Sequence, residues 1–198
     1  LGFVGPNIPE AYGGAGMGEV DHVLLTEELA FGCTGIQTSM TANVLAATPI
    51  LIAGSDAQKK KYLGMLTSEP IFAAYAITEP AAGSDAAGIQ ARAKKDGNDW
   101  IITGQKCYIT NAAWATWFVV FATIDGKYSA LIVDLHSEGV SRGAEEKKMG
   151  IRGSSTCGLT FQDVKVPAEN QLGETGDAAK IALNILYAGR LKLGFATL

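Results

Sequence analysis

The chain has 198 residues, 47% apolar and 18% charged, which is enough apolar material for one or two packed cores and too much for disorder. Its formal net charge of −4 provides no basic surface for nucleic acid, and three scattered cysteines with two histidines disfavour disulfide or zinc scaffolds. The longest apolar stretch, residues 42–54, is interrupted by Pro49 and is too short to span a bilayer, so membrane association is not indicated.

The first third of the chain is predicted to be helical after an opening loop. Prolines and glycines predict that loop over residues 1–18. The apolar spacing predicts helices over 20–30 and about 40–47. Ser55 with Gln58 three residues later forms a capping-box pattern, which predicts a third helix that ends near Gly64.

After Pro70 the apolar period changes to the alternation of strands. The predicted strands cover 71–78, 89–94, 100–103, 117–123, 128–133 and 159–166. Asp96-Gly97 and Asp125-Gly126 are tight-turn dipeptides, so neighbouring strands are predicted to form hairpins in an antiparallel sheet or barrel. Helical spacing returns over 178–198, which makes the whole chain an α+β sequence of helices, strands and one final helix.

Two short motifs suggest other functions but lack the required context. Residues 139–143 match GxSxG, the nucleophile elbow of hydrolases, but both histidines precede Ser141 and the charged flanks indicate a solvated loop. A hydrolase therefore stays a weak alternative. Residues 13–18 are glycine-rich, but Glu19 stands where GxGxxG needs its last glycine and no strand precedes them, which excludes a Rossmann fingerprint.

Residues 75–85 carry the strongest chemical signal. A strand ends at Thr78, Pro80 stiffens the exit, and Gly83 allows the backbone to approach a ligand closely. Ser84 and free N–H groups can bond phosphate oxygens. An ordinary polar loop between strands fits the same residues, and the chemistry alone leaves both interpretations open.

This segment resembles the first signature of the acyl-CoA dehydrogenases. Further matches follow in order along essentially the whole chain: Tyr12-Gly13-Gly14, Glu27-Glu28-Leu29-Ala30, Gly104-Gln105-Lys106, Tyr108-Ile109-Thr110-Asn111, Met149-Gly150-Ile151-Arg152, Val166-Pro167, Leu172-Gly173-Glu174 and Gly189-Arg190. The resemblance implies the end of an N-terminal helical domain (1–70), a middle β-domain (71–175) and the first helix of a C-terminal helical domain (176–198), truncated here, with FAD between the last two.

The resemblance also implies roles for individual residues. The implied cofactor-binding residues are Tyr75, Ala76, Ile77, Thr78, Gly83, Ser84, Tyr108, Ile109 and Thr110. Tyr108 would cover one face of the flavin ring and Thr110 would hydrogen-bond near its N5, while Ser84 and Arg190 would contact the substrate. The chain departs from the family pattern at Thr41, Ala112, Ala113 and Ala179.

The implied reaction is FAD-dependent α,β-dehydrogenation of an acyl-CoA thioester to the trans-2-enoyl-CoA, as in fatty-acid β-oxidation. A minority of the family carries the catalytic base where this chain has Gly189, so the base is expected to be a glutamate beyond Leu198, and this piece alone is expected to be inactive. Electron-transfer flavoprotein is the implied electron acceptor and a dimer or tetramer the implied assembly. The implied compartment is the mitochondrial matrix in a eukaryote or the cytoplasm in a bacterium. A catalytically silent homologue and an acyl-CoA oxidase are the alternatives.

Overall fold

The chain begins with a loop and one long, bent helix. The structure, a computed structural model, describes residues 3–197 apart from the side chains at 87, 186–188, 191 and 192. Helix α1 spans Glu19–Ala53 and bends sharply at Cys33, whose φ of −165° and ψ of 106° are not helical. The helices predicted over 20–30 and 40–47 are the two arms on either side of this bend.

Helix α1 has the length and mean hydropathy, 1.3, of a membrane span. Half of its most apolar 18-residue window, 50%, is buried against the rest of the chain, and its second arm packs on the sheet, as the core helix of a folded domain does. The apolar stretch is therefore longer than the sequence analysis predicted.

The predicted capping box begins the next helical segment. Ser55 Oγ accepts from the Gln58 N–H at 3.2 Å, and Gln58 Oε1 accepts from the Ser55 N–H at 2.7 Å, which confirms the pattern. An α-helical turn α2 (Asp56–Gln58), a π-helical turn (Lys59–Leu63) and helix α3 (Gly64–Ser68) then continue without a break. The segment ends four residues later than the predicted Gly64.

The sheet has eight strands. They are β1 Phe72–Ala76, β2 Arg92–Asp96, β3 Asp99–Thr110, β4 Ala115–Ile124, β5 Lys127–Asp134, β6 Val140–Glu145, β7 Thr156–Pro167 and β8 Gln171–Leu172. Their order is β6-β7-β3-β2-β4-β5-β8, with β1 paired to β4. Most pairs are antiparallel, as predicted, but β1 and β2 each run parallel to β4. Helix α4, Ala178–Phe195, follows the sheet; the predicted last residue, Leu198, lies outside the described residues.

The turn chemistry predicted from the sequence is present. Asp125 and Gly126 connect β4 to β5 with φ values of 50° and 74°, the two positive angles that a tight hairpin turn requires. Gly97, with φ of 57°, lies in the turn between β2 and β3. The two Asp-Gly predictions therefore correctly located two hairpins.

Strand β4 is buried on both faces and divides the core in two. Trp117 and Phe121 pack with α1, α3 and α4 in one apolar cluster, while Phe118 and Val120 pack with β3 and β7 in the other. The sheet thus folds over on itself, with helices covering one side. Burial of both faces explains why this strand is almost continuously apolar rather than alternating.

The GxSxG segment is a strand rather than the predicted loop. Ser141 lies in β6, an exposed edge strand that pairs only with β7. Polar residues are typical of protected sheet edges, which is why the composition suggested a loop. A nucleophile elbow needs a turn between a strand and a helix, and Ser141 is not in one.

Candidate functional site

Two segments that the sequence analysis singled out separately meet at the end of β1. The chain leaves this strand through Ile77 and Thr78. The Cys107 N–H donates to Thr78 O at 2.9 Å, and Lys106 Nζ donates to Ile77 O at 3.1 Å. These bonds hold the exit loop of β1 against the second half of β3, so residues 75–84 and 108–110 belong to one surface.

A β-bulge directs Tyr108 outward. Between the pairs Lys106–Leu159 and Ile109–Cys157, two residues of β3 face only Gly158 on β7. Tyr108 has φ of 57°, a left-handed conformation that costs a tyrosine about 1–3 kcal/mol. Its side chain is 67% exposed. An exposed aromatic ring on a strained backbone fits a flat partner ring that would cover it.

The other residue of this bulge, Cys107, is a thiol with no catalytic character. Burial raises the pKa of Cys107, and the carboxylates of Glu146 and Glu79 raise it further. The thiol therefore stays protonated at neutral pH, and a protonated thiol is a poor nucleophile.

Thr110 lies at the mouth of a cavity between the sheet and two helices. The cavity has a volume of about 130 Å³ and is lined by Gln37, Thr38, Thr41, Ala42, Leu45, Thr110, Gly189 and Leu193. No carboxylate is among these residues. Gln37 is buried, donates to Thr41 Oγ1 at 2.6 Å and leaves its Oε1 without a partner in the described part of the chain. The cavity is thus polar on the α1 side and has room at Gly189, where an added Cβ would meet only Leu45 at 4.0 Å.

Asn111 fixes the end of β3 to α1. It has φ of 65°, a conformation that asparagine tolerates better than most residues, and it is fully buried. Its Nδ2 donates to Ser39 O at 2.7 Å and to Asn43 Oδ1 at 3.4 Å. Asn43 in turn accepts from the Ala73 N–H at 2.8 Å. Sequence analysis matched Asn111 to the family but missed this network, because Asn43 carries no recognisable motif.

The two alanines after Asn111 are not strained. Positive φ falls on Asn111 itself, and neither Ala112 nor Ala113 has a positive angle. Ala112 is fully buried in the β-side core. The departures from the family pattern at these two positions are therefore compatible with the local backbone, because no glycine conformation is needed there.

A buried ion pair lies behind the exit loop of β1. Lys106 Nζ and Glu79 Oε1 are 2.7 Å apart, and their side chains are 0% and 4% exposed. Burial lowers the pKa of Lys106, while the adjacent Glu79 carboxylate opposes that effect. Sequence analysis did not predict this pair, because the residues are 27 positions apart and each alone is an ordinary charged residue.

Three of the predicted cofactor-binding residues have side chains that face the interior. Tyr75 packs against Phe121, with ring centroids 4.9 Å apart, in the helix-side core. Ala76 and Ile109 are buried in the β-side core. Alternation along the strands turns these side chains inward, so only their main-chain atoms can contribute to a site at this surface.

The remaining predicted residues lie at or near the surface. Gly83 and Ser84 are exposed in the loop before a short 3-10 turn, Ala86–Gly88. Arg190 is exposed on α4, directly after the cavity residue Gly189. The structure thus places Thr78 beside the bulge that carries Tyr108, and it places α4 beside Thr110 at the end of the same strand. No contact joins Ser84 to Arg190 among the described residues.

The exposed residues fit the FAD that the family resemblance implies. The hydroxyls of Thr78, Ser84 and Thr110 have no hydrogen-bond partner in the part of the chain that the structure describes, so they are free to bond a ligand. An added Cβ at Gly83 would meet no atom within 4 Å, and its φ is not positive. The fold therefore does not itself require glycine there, which is consistent with close approach of a ligand to the backbone.

The fold has the order helices, β-domain, helix, and an outward aromatic ring and a helix–sheet cavity lie at one end of strand β3. The N-terminal domain profile of the acyl-CoA dehydrogenases matches residues 1–70, and the middle domain profile matches residues 74–164. The chain belongs to the acyl-CoA dehydrogenase family.

Individual relatives agree with this assignment. A probable medium-chain specific mitochondrial acyl-CoA dehydrogenase 2 of Caenorhabditis briggsae is 47% identical over 192 residues, 93% of this chain and 47% of that protein. A probable acyl-CoA dehydrogenase of Bacillus subtilis (strain 168) is 46% identical over 202 residues, 100% of this chain and 34% of that protein. A crystal structure of a Bacillus anthracis acyl-CoA dehydrogenase complexed with FAD superposes with a TM-score of 0.95 at 44% identity, covering 100% of this chain and 34% of that one. The chain therefore spans between a third and a half of these relatives.

Proposed function

We propose that the full-length protein containing this chain is an FAD-dependent acyl-CoA dehydrogenase. It converts an acyl-CoA thioester to the trans-2-enoyl-CoA by removing a proton from the α-carbon and a hydride from the β-carbon. One observation carries the proposal: the outward Tyr108 ring and the free Thr110 hydroxyl lie at the same end of β3, where Thr110 lines a cavity shared with α1 and α4.

Five residues are proposed to hold the cofactor. The Tyr108 ring would cover one face of the flavin ring, and the Thr78 and Thr110 hydroxyls would hydrogen-bond its edge. Gly83 and Ser84, exposed in the loop after β1, would contact phosphate oxygens. FAD, when bound, supplies the hydride acceptor, while the protein orients the ring and sets the polarity around it.

The chain's own residues prepare the site for proton removal but do not perform it. Ala42, Leu45 and Leu193 form the apolar part of the cavity wall, and burial of a carboxylate against such groups would raise its pKa towards neutrality. Gly189 has no side chain that could accept the α-proton. We therefore propose that the base is a glutamate in the C-terminal part that the longer relatives possess, beyond Leu198 of this sequence.

The domain division and partners follow from the same proposal. Helix α3 ends at Ser68 and β1 begins at Phe72, while α4 begins at Ala178, so boundaries at 70/71 and 175/176 fall in connecting segments. Electron-transfer flavoprotein is the proposed oxidant of the reduced enzyme, and Ser84 and Arg190 are proposed to contact acyl-CoA. A dimer or tetramer is the proposed assembly. The mitochondrial matrix is the proposed compartment in a eukaryotic host, and the cytoplasm is the one proposed in a bacterium.

Spectroscopy of the purified full-length protein tests the proposal. The expected result is a yellow protein with flavin absorbance that bleaches on addition of a saturated acyl-CoA, with trans-2-enoyl-CoA as product. Colourless protein that takes up no added FAD would refute the proposal. Bound FAD that no acyl-CoA reduces would instead indicate a silent homologue, and rapid reoxidation by dioxygen with release of hydrogen peroxide would indicate an acyl-CoA oxidase.

A further inference from the structure

The buried ion pair between Lys106 and Glu79 connects three segments that are distant in sequence. Lys106 Nζ donates both to Glu79 Oε1 at 2.7 Å and to Ile77 O at 3.1 Å. Glu79 also accepts from the main-chain N–H groups of Gln90 at 2.5 Å and Ala91 at 3.0 Å. One carboxylate thus joins the exit loop of β1, the approach to β2 and the middle of β3.

Backbone contacts leave these segments little freedom. Glu79 and Ala82 exchange two main-chain hydrogen bonds, of 3.0 and 3.1 Å, which close the loop on itself. Gly104 of β3 lies so close to Ala91 that an added Cβ would be 2.6 Å from the alanine Cβ. The loop, the approach to β2 and β3 therefore form one tightly packed unit with the ion pair at its centre.

An ion pair in this position is a poor way to gain stability. Removing two charges from water costs several kcal/mol per ion, and their attraction rarely exceeds that cost, so apolar residues of similar volume are often as stable. Its geometric effect is more specific. Lys106 immediately precedes the bulge residues Cys107 and Tyr108, and its ammonium group bonds the carbonyl of the residue before Thr78.

We propose that the Glu79–Lys106 pair is a positioning device that fixes the Tyr108 bulge relative to the exit loop of β1, and thereby sets how the cofactor is held. The two residues touch neither cofactor nor substrate; they act through Ile77, Thr78 and Tyr108. The inference rests on the proposed function, because it assumes that these three residues border the flavin.

The test uses full-length protein and three variants: Lys106→Met, Glu79→Gln and the double variant Glu79→Leu/Lys106→Met. The matched control is Lys165→Met, which breaks the Lys165–Asp99 pair of 3.1 Å between β7 and β3, where the lysine side chain is 67% exposed. Three quantities are measured: the FAD dissociation constant of the apoprotein, the flavin midpoint potential and the melting temperature of the apoprotein.

The double variant is the decisive one, because it removes both charges together, although the Gln90 and Ala91 N–H groups and the Ile77 carbonyl lose their side-chain partner. We expect its melting temperature to fall less than that of Lys106→Met, which leaves a buried carboxylate unpaired, while its FAD affinity falls about 10- to 100-fold, the loss typical when a residue supporting a metal ligand is removed, and its flavin potential shifts. Lys106→Met should lose both affinity and stability, and Lys165→Met should change neither.

Either of two outcomes would overturn this proposal and leave the proposed function untouched. One is a double variant with parental melting temperature, FAD affinity within twofold of the parent and an unchanged flavin potential. The other is a set of variants at Glu79 and Lys106 that all fail to fold, which would make the pair a stability element. A parent protein that takes up no FAD would be detected before any variant is made, and it would refute the proposed function together with this inference.

Discussion

Replacing Thr110 by valine separates a role in the site from a role in the fold. The side chain is half-buried at the end of β3, opposite Thr156 on β7, and it lines the cavity beside Gly189. Its hydroxyl has no hydrogen-bond partner among the main-chain and side-chain groups that the structure describes. Valine has the same shape and is an equal or better strand former, so the substitution removes one free hydroxyl and leaves the packing intact.

The expected change in rate follows from the loss of this single hydroxyl group. One lost hydrogen bond to the developing reduced flavin costs about 1–3 kcal/mol, which corresponds to roughly 5- to 150-fold in the rate of flavin reduction. The melting temperature should stay equal or rise slightly, because the native protein loses no internal hydrogen bond. If Thr110 serves only the strand, the rate stays unchanged and the melting temperature is equal or higher.

Stopped-flow bleaching of the flavin by acyl-CoA in the full-length enzyme measures the rate directly. Thr160→Val is the matched control, since Thr160 is a half-buried threonine on the neighbouring strand β7, paired with Gln105 and away from the cavity. A Thr110→Val rate within twofold of the parent would refute the assignment of Thr110 to the site. Equal slowing by Thr160→Val would show that the effect is not local.

Four further results are expected. Asn43→Ala should lower the free energy of unfolding by about 2–4 kcal/mol, because it leaves the buried Ala73 N–H and at least one other group unpaired. Denaturant titration measures this loss. The control Thr48→Val, which removes a hydrogen bond only within the same helix, should lower the free energy of unfolding far less. Tyr75→Phe should leave FAD affinity within twofold of the parent, because that side chain faces the core. Burial raises the pKa of Tyr75, so the folded state keeps a proton that the unfolded chain loses above about pH 10. Stability therefore falls as the pH rises above that value. In thermal unfolding at about pH 9 to 11, stability should fall less steeply with pH for Tyr75→Phe than for the parent. The isolated 198-residue chain should show no turnover with acyl-CoA and an artificial electron acceptor, and turnover by this chain would contradict the placement of the base elsewhere. In a full-length variant that lacks its own base, Gly189→Glu should restore measurable turnover.

Local signals in the sequence were sufficient to predict much of the fold. The capping box at Ser55 and the turns at Asp96-Gly97 and Asp125-Gly126 depend on residues within four positions of each other, and the structure confirms all three. Alternation along β7 and helical spacing along α4 likewise reflect which side of each element is buried.

Features that depend on distant partners could not be predicted in this way. The parallel pairing of β1 with β4 and the Glu79–Lys106 pair are contacts across many residues, and no local pattern encodes them. The edge strand β6 was predicted as a loop because an exposed strand needs no apolar face. The inward direction of the Tyr75 side chain could not be predicted, because a family signature gives a residue's position in sequence but not which face of its strand it occupies.

The bulge in β3 has an evolutionary consequence. Strict alternation from the buried Lys106 would place Tyr108 inside and Ile109 outside, whereas the one additional residue lets Ile109 stay buried while both Cys107 and Tyr108 face outward. Deleting that one codon would keep the pairing of Lys106 and Ile109 with β7 and remove only an outward aromatic ring. The packing of the core therefore sets no limit on this ring, so selection on Tyr108 acts through what the ring contacts outside the fold.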